Sequence, residues 1–194
     1  MKINSVEKIE HPGLKVLKVF KANCTTTKGK DIGWEYVSRK EDQSPEAKAK
    51  ADAVMVVAVD DDASEVILVK QFRPPVGDYV YEFPAGLINE GETAKEAGLR
   101  ELLEETGYTA KAEEASPPAY TSPGLTDESV QIMWASVDPD QIPVQDQDDT
   151  EDIEVVRLPI GDIKDFIESD VKMGAKCLVM LLAILLAETA QKEI

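Results

Sequence analysis

The chain has 194 residues, enough for one domain with a full hydrophobic core or for one domain with a small appendage. Hydrophobic residues make up 43% and charged residues 30%, the balance of a soluble globular protein. A net charge of −17 argues against a general nucleic-acid or anionic-membrane binder, so an anionic ligand would need local arginines or a metal cation.

The opening MKINSVEKIEHPG lacks an apolar core of signal-peptide length. His11, the single histidine, sits in this polar, proline-flanked start and reads as a surface residue, which argues against a His-based metal site or a Ser-His-Asp triad. Two β-like runs follow, LKVLKVFKANC (14–24) and DIGWEYVSR (31–39), joined by TTTKGK, whose Gly29 suits a hairpin turn. The polar stretch KEDQSPEAKAKAD (40–52) contains Pro45 and marks a boundary, giving an N-terminal β region at 1–48 and a main domain at 49–194. Buried-type strands are expected at AVMVVAV (53–59) and EVILVKQF (65–72), separated by DDDAS, and a third at YVYEF (79–83), stopped by Pro84. Later strands are expected at SVQIMWASV (129–137) and IEVVRL (153–158), with the acidic loop DPDQIPVQDQDDTED between them.

Helices are expected at 162–168 and 174–190. Within the second, CLVMLLAILLA (177–187) is apolar throughout but too short for a bilayer, and reads as buried in the core or at a subunit contact. Strands interleaved with helices indicate an α/β or α+β layered domain. The two cysteines, Cys24 and Cys177, lie far apart in sequence and fit reduced thiols in the cytoplasm.

One stretch resists a purely structural reading. Residues 86–108, GLINEGETAKEAGLRELLEETGY, crowd glutamates against one lysine and one arginine. Glu92/Glu96 and Glu101/Glu105 stand four apart, and on a helix each such like-charge pair costs about 0.2–0.5 kcal/mol. Thr93 followed by Glu96 has the form of a capping box, and Gly107 suits a left-handed C-terminal cap. The helix between them puts Glu101 and Glu105 on one face with Glu104 beside them, the oxygen-rich arrangement a hard divalent cation takes. The plain alternative is a solvated acidic face. Gly98, in mid-helix, suggests close packing on the sheet.

The stretch resembles the Nudix box, G-x5-E-x7-R-E-U-x-E-E-x-G-U with U bulky and apolar. Gly86, Glu92, Arg100, Glu101, Leu102, Glu104, Glu105 and Gly107 fall in place, and Tyr108 fills a slot that is usually aliphatic. The preceding VKQFRPPVGDYVYEFPAGL, the segment GKDIGWEYVSR, and Pro123 at its spacing beyond the box resemble the ADP-sugar diphosphatase branch, typified by ADP-ribose pyrophosphatases.

The resemblance implies an α/β/α sandwich with a mixed sheet, a small N-terminal antiparallel sheet, and metal-dependent hydrolysis of ADP-ribose or a related ADP-sugar. Mg²⁺, with Mn²⁺ as the alternative, would be held by Glu101, Glu105 and the Ala85 carbonyl, with Glu104 completing the cluster. Arg100 would orient these glutamates with Glu92 in support. Glu151 would serve as general base, with Asp152 or Glu105 as alternatives. Arg39 and Arg73 would contact phosphate, and Glu82 and the backbone at Leu87 would line the pocket. Ser122 lies in a loop near the terminal ribose. Trp34 would stack on adenine, with Glu35 alongside. Relatives that clamp adenine between two tryptophans have Val16 or Phe20 here in place of the second, which leaves base selection open. The resemblance also implies a homodimer exchanging the N-terminal sheet. Other readings are a hydrolase for a different nucleoside diphosphate sugar, such as a GDP-sugar, and a non-hydrolysing sensor. An intact box, with no basic DNA-binding extension after Leu158, favours the enzyme.

Overall fold

The computed structural model describes residues 1–60, 64–138, 141, 143–145 and 152–192, the last two by backbone only. The turn at 61–63, most of the 139–151 loop, and Glu151 with it lie outside the described residues. In chain order, β1 (Lys2–Ile9), β2 (Lys18–Thr25) and β3 (Asp31–Ser38) precede the short helix α1 (Pro45–Lys48). Strands β4 (Ala53–Asp60), β5 (Glu65–Arg73), β6 (Asp78–Glu82) and β7 (Ala85–Leu87) lead to helix α2 (Ala94–Thr106). Then come β8 (Ala110–Ala112), β9 (Ala119–Tyr120), β10 (Ser129–Val137), β11 (Ile153–Pro159), α3 (Ile163–Glu168) and α4 (Ala175–Lys192). The chain forms two compact units, Met1–Asp52 with Pro117–Gln131, and Ala53–Ser116 with Ile132–Ile194.

The first unit holds a three-stranded antiparallel sheet in the order β1-β2-β3. In β2 the alternation is clean: Phe20, Ala22 and Cys24 are buried while the residues between them are partly exposed, the period-two signature of a half-buried strand. Gly29 turns β2 into β3 with φ +75°, a backbone conformation that costs glycine little. Strand β1 was not expected from the sequence. Seven of its eight residues are exposed, so it carries no apolar alternation, and its place comes from backbone pairing along β2, from Lys2↔Thr25 to Ile9↔Val19. The first expected run also began too early: Leu14, Val16 and Leu17 are exposed and precede β2. The Val37 N–H donates to the Leu125 carbonyl (3.0 Å), tying the 117–131 segment to β3.

The second unit is built on a larger mixed sheet with the path β11-β5-β4-β10-β8, β6 added to β5 and β7 to β4. Val54 through Ala58 of β4 are all buried, so both faces of this strand are covered. Helix α2 covers one of them. Its Ala97 and Leu102 join Val54, Val56, Met133 and Ala135 in one core cluster. A Cβ built on Gly98 would lie 2.5 Å from Met133 Cε and 3.2 and 3.3 Å from the methyls of Val56 and Val54. The mid-helix glycine thus lets α2 sit closer to the sheet than alanine would.

The expected C-terminal helices are present, the first preceded by a 3₁₀ turn at Ile160–Asp162. The apolar run in α4 is buried on one side only: Cys177, Leu181 and Ile184 are inside, while Val179, Leu182 and Leu186 are exposed. Both cysteines are free and buried. Burial pushes the Cys177 thiol up to about 12, with the negative charge of Glu82 adding to the effect. Among the described residues no helix is long and apolar enough to cross a membrane.

Substituting Gly98 sets two opposed effects against each other. Alanine gains about 1 kcal/mol of helix propensity, while overpacking of a filled core costs about 1–3 kcal/mol. Gly98→Ala is expected to lower the urea midpoint of unfolding. An unchanged or raised midpoint would mean that Met133 swings aside at no cost.

Candidate active site

The glutamate-rich segment is held by local signals. Thr93 Oγ1 accepts from the Glu96 N–H (3.2 Å), and the Glu96 carboxylate accepts from the Thr93 N–H (2.8 Å), closing the capping box at the start of α2. Gly107 ends the helix at φ +76°, its N–H donating to the Leu103 carbonyl (2.7 Å). Glu92 precedes the cap, so Glu92 and Glu96 are not a pair on the helix, although the charge of Glu92 still acts against that of Glu96. Tyr108, the departure from the usual pattern, is buried, and its hydroxyl accepts from Arg157 Nη1 (2.9 Å). The ring fills the aliphatic slot while its polar end is satisfied.

Arg100 holds the acidic groups together. Its Nε and Nη2 donate to the two oxygens of Glu92 (2.9 and 3.0 Å), and Nη1 donates to Glu101 (2.8 Å) and Glu104 (3.0 Å). Nη2 also reaches the Leu87 carbonyl (3.0 Å). The Arg100 hydrogen bonds, with the Asn89 N–H next in weight, hold the Glu92 carboxyl down at about 2. A carboxyl depressed on folding contributes stability that is complete above its ordinary value of 4.5, and that is lost only as the pH falls toward about 2.

Two carboxylates converge on β7. Glu105 is 5% exposed, and its Oε2 accepts from the Ala85 N–H (3.1 Å). Glu101 lies against Gly86 so closely that a Cβ there would fall 1.9 Å from the Glu101 carboxyl carbon. Among the described residues no three acidic, histidine or cysteine groups already close around a point, since Arg100 spans Glu101 and Glu104. The donor set nevertheless fits a hard cation. Two carboxylates one helical turn apart, seated on a backbone that also offers the Ala85 carbonyl, supply oxygen ligands only. Glu104, more exposed than Glu101, lies at the edge of this set.

Arg73 Nε donates to Glu82 Oε2 (2.6 Å), and both line a cavity of about 540 Å³ that Lys172 and Gly174 also border. Leu87 is exposed. Asp152 accepts from the Tyr79 hydroxyl (2.6 Å). In the first unit, Trp34 is half exposed, its indole N–H donating to the Gly124 carbonyl (3.2 Å), and it lines a separate cavity of about 440 Å³ with Pro123 and Tyr120. Glu35 follows Trp34 in β3, where successive side chains alternate, and so turns from the face that carries Trp34. Arg39 donates to Glu128 (3.2 Å). Ser122 is exposed, and its carbonyl accepts from the Leu125 and Thr126 N–H groups (2.9 and 3.0 Å), shaping the turn after it. Val16 is exposed, whereas Phe20 is buried with its ring stacked on Tyr36 (centroids 5.6 Å apart). Phe20 therefore has almost no open face for a base.

Sequence reasoning missed Tyr36, Lys48, Tyr120 and Asp127, which border the Trp34 cavity. They come from β3, α1, β9 and the following loop, and no local pattern relates them. It also missed Lys172, which pairs with Asp78 beside the Arg73 cavity.

Comparison with known proteins gives the family and the fold. An ADP-sugar pyrophosphatase of Mus musculus is 38% identical over 156 residues, covering 77% of this chain and 70% of that protein. An ADP-ribose pyrophosphatase of Bacillus subtilis is 37% identical over 145 residues, covering 73% and 76%. The crystal structure of an ADP compounds hydrolase superposes with a TM-score of 0.74 over 99% of this chain and 95% of that one; at 24% identity it speaks for the fold. Residues 49–177, which carry β4 to β7, the glutamate helix and the strands beneath it, match the NUDIX domain, and the chain belongs to the Nudix family.

Proposed function

We propose that this protein is a metal-dependent pyrophosphohydrolase that splits ADP-ribose, or a related ADP-sugar, into AMP and a sugar phosphate. The observation that carries the reading is the seating of Glu101 and Glu105 on Ala85 and Gly86. It draws further support from relatives named for ADP-ribose and ADP-sugar cleavage. Mg²⁺, with Mn²⁺ as the alternative, would be held by Glu101, Glu105 and the Ala85 carbonyl with Glu104 beside them, and when bound supplies charge neutralisation and a more acidic water.

The chain's own groups do the rest. Arg100 keeps Glu101 and Glu104 oriented through charge-assisted hydrogen bonds. Arg73 and Arg39 bind diphosphate oxygens, for which the planar guanidinium is suited. Glu82 and the Leu87 backbone line the pocket, Ser122 borders the terminal ribose, and Trp34 stacks on the base, while Glu35 lies on the opposite face of β3, away from it. Glu151 takes the proton of the attacking water. Asp152 is the weaker choice, because the Tyr79 hydroxyl already donates to its carboxylate. Glu105 is similarly engaged by the Ala85 N–H. The β region 1–48 serves substrate contact and dimerisation, exchanged between two copies of the chain in the cytoplasm. Main domain 49–194 carries the hydrolytic groups. The exposed apolar side of α4 agrees with an oligomer.

A panel of nucleotide sugars, run with Mg²⁺ and with chelator, tests the reaction. Hydrolysis of ADP-ribose, abolished by chelator and releasing inorganic phosphate only after a phosphatase is added, is the expected outcome. A preference for GDP-sugars would move the assignment to that substrate, and binding with no turnover would make the protein a sensor. Gly86→Ala is expected to cut kcat by about 10- to 100-fold, the size of effect seen when ligand orientation is lost. Full activity in this variant would separate Glu101 from the mechanism. Sedimentation at micromolar concentration is expected to show a dimer, and a monomer alone would remove the exchanged sheet.

A further inference from the structure

The cavity beside Arg73 has a second cation that the proposed mechanism leaves unused. Among the described residues, the lining of this cavity of about 540 Å³ carries Arg73 and Lys172 against one carboxylate, Glu82. The lining is thus locally basic in a chain of net charge −17. Arg73 gives its Nε to Glu82 (2.6 Å), and its Nη1 and Nη2 make no hydrogen bond among the described residues. Lys172 Nζ donates to Asp78, and an ammonium has further N–H donors to give. Asp78 stands directly across from Arg73 in the β5–β6 ladder. Paired residues share a face of the sheet, so the ion pair brings Lys172 to the side that carries Arg73.

Backbone contacts hold Lys172 there. Its carbonyl accepts from the Tyr81 N–H (2.8 Å), the Gly174 N–H donates to the Tyr81 carbonyl (3.0 Å), and Met173 between them bridges to Tyr81. A side chain at Gly174 would crowd Glu82, its Cβ lying 3.2 Å from Oε1. Lys172 and Asp78 are both about half exposed, and an exposed pair of this kind adds little to stability. Stability therefore does not account for a cation pinned at this cavity. Phe83 and Pro84 join Glu82 to Ala85, whose N–H holds Glu105, so the cavity and the seat of the two carboxylates share one stretch of backbone.

We propose that Lys172 is a further substrate-binding residue, its Nζ donating to a phosphate oxygen of the nucleotide sugar alongside the open Nη groups of Arg73. The inference rests on the ADP-sugar reading and adds to it a residue from the segment before α4. Each phosphate of the diphosphate carries a negative charge. The planar fork of Arg73 suits paired oxygens, whereas the point charge of Lys172 takes a single oxygen from a range of directions. With each cation tethered to its own carboxylate, both are ordered before substrate arrives, which lowers the cost of binding.

The experiment measures kcat and KM for ADP-ribose in the wild type and in Lys172→Gln, Lys172→Arg and Asp78→Asn. Lys172→Gln is expected to raise KM about tenfold, the size of one hydrogen bond to a charged group, with kcat little changed. Lys172→Arg, which keeps the charge, is expected to stay near the wild-type KM. Asp78→Asn, which releases the ammonium, is expected to leave KM unchanged or to lower it. An unchanged KM in Lys172→Gln overturns the proposal, and so does a KM raised equally in Lys172→Arg. An equal rise in Lys172→Gln and Asp78→Asn overturns it as well, being the mark of a pair that only holds the segment before α4. In each of these cases hydrolysis stands. If no nucleotide sugar is cleaved, the hydrolase reading fails, and calorimetric titration with inorganic pyrophosphate decides. Binding weakened about tenfold in Lys172→Gln but not in Asp78→Asn upholds the contact; binding that is equal in all variants, or absent, overturns it.

Discussion

The Arg100 guanidinium is the interaction on which the acidic site depends. Glu92, Glu101 and Glu104 all direct oxygens to one side chain, and the same side chain reaches the Leu87 carbonyl. Without it, carboxylates this close would repel one another and turn toward solvent, and the helix face would be the ordinary solvated kind. A lysine could not substitute, because its point charge lacks the planar fork that takes both Glu92 oxygens while serving two more carboxylates. The crowding of like charge in residues 86–108 is thus compensated locally by one cation, which leaves the outer acids competent to receive another.

Three glycines in the same segment make room for that arrangement, each for a different reason. Gly86 must lack a side chain because the Glu101 carboxylate occupies the space a Cβ would take. Gly98 allows α2 to approach Val54, Val56 and Met133, which fixes the height of the helix above the sheet. Gly107 adopts the left-handed conformation that ends the helix one turn after Glu104. The spacing of the motif is therefore a steric specification: where the helix starts, how close it lies, where it stops, and which backbone its carboxylates touch.

The segment was legible in the sequence because these constraints are local. Thr93 and Glu96, Gly107, and the Glu101/Glu105 pair lie within a few residues of one another, and the structure places each where the pattern indicates. The buried strands β4 and β5 were legible for a similar reason, their apolar runs being continuous. Strand β1 was not, because its side chains face solvent and only backbone pairing defines it. The half-exposed state of α4 was hidden as well. A helix that is apolar all round carries no record of which side is covered, and Val179 and Leu186 look no different in sequence from Leu181.

The cavity in the first unit illustrates the remaining limit. Trp34 was visible as an aromatic in a β-like run, but Asp127 has meaning only through what surrounds it. A carboxylate in a loop is ordinary in a chain carrying 38 acidic residues; one whose oxygen is sealed from water with no hydrogen-bond partner among the described residues is not. The Tyr36 hydroxyl on the same cavity donates to Gln43, a contact between a strand and the loop after it. The hydrolytic chemistry is written in spacing along one helix, whereas the lining of the first unit's cavity is gathered from β3, α1, β9 and the loop after it.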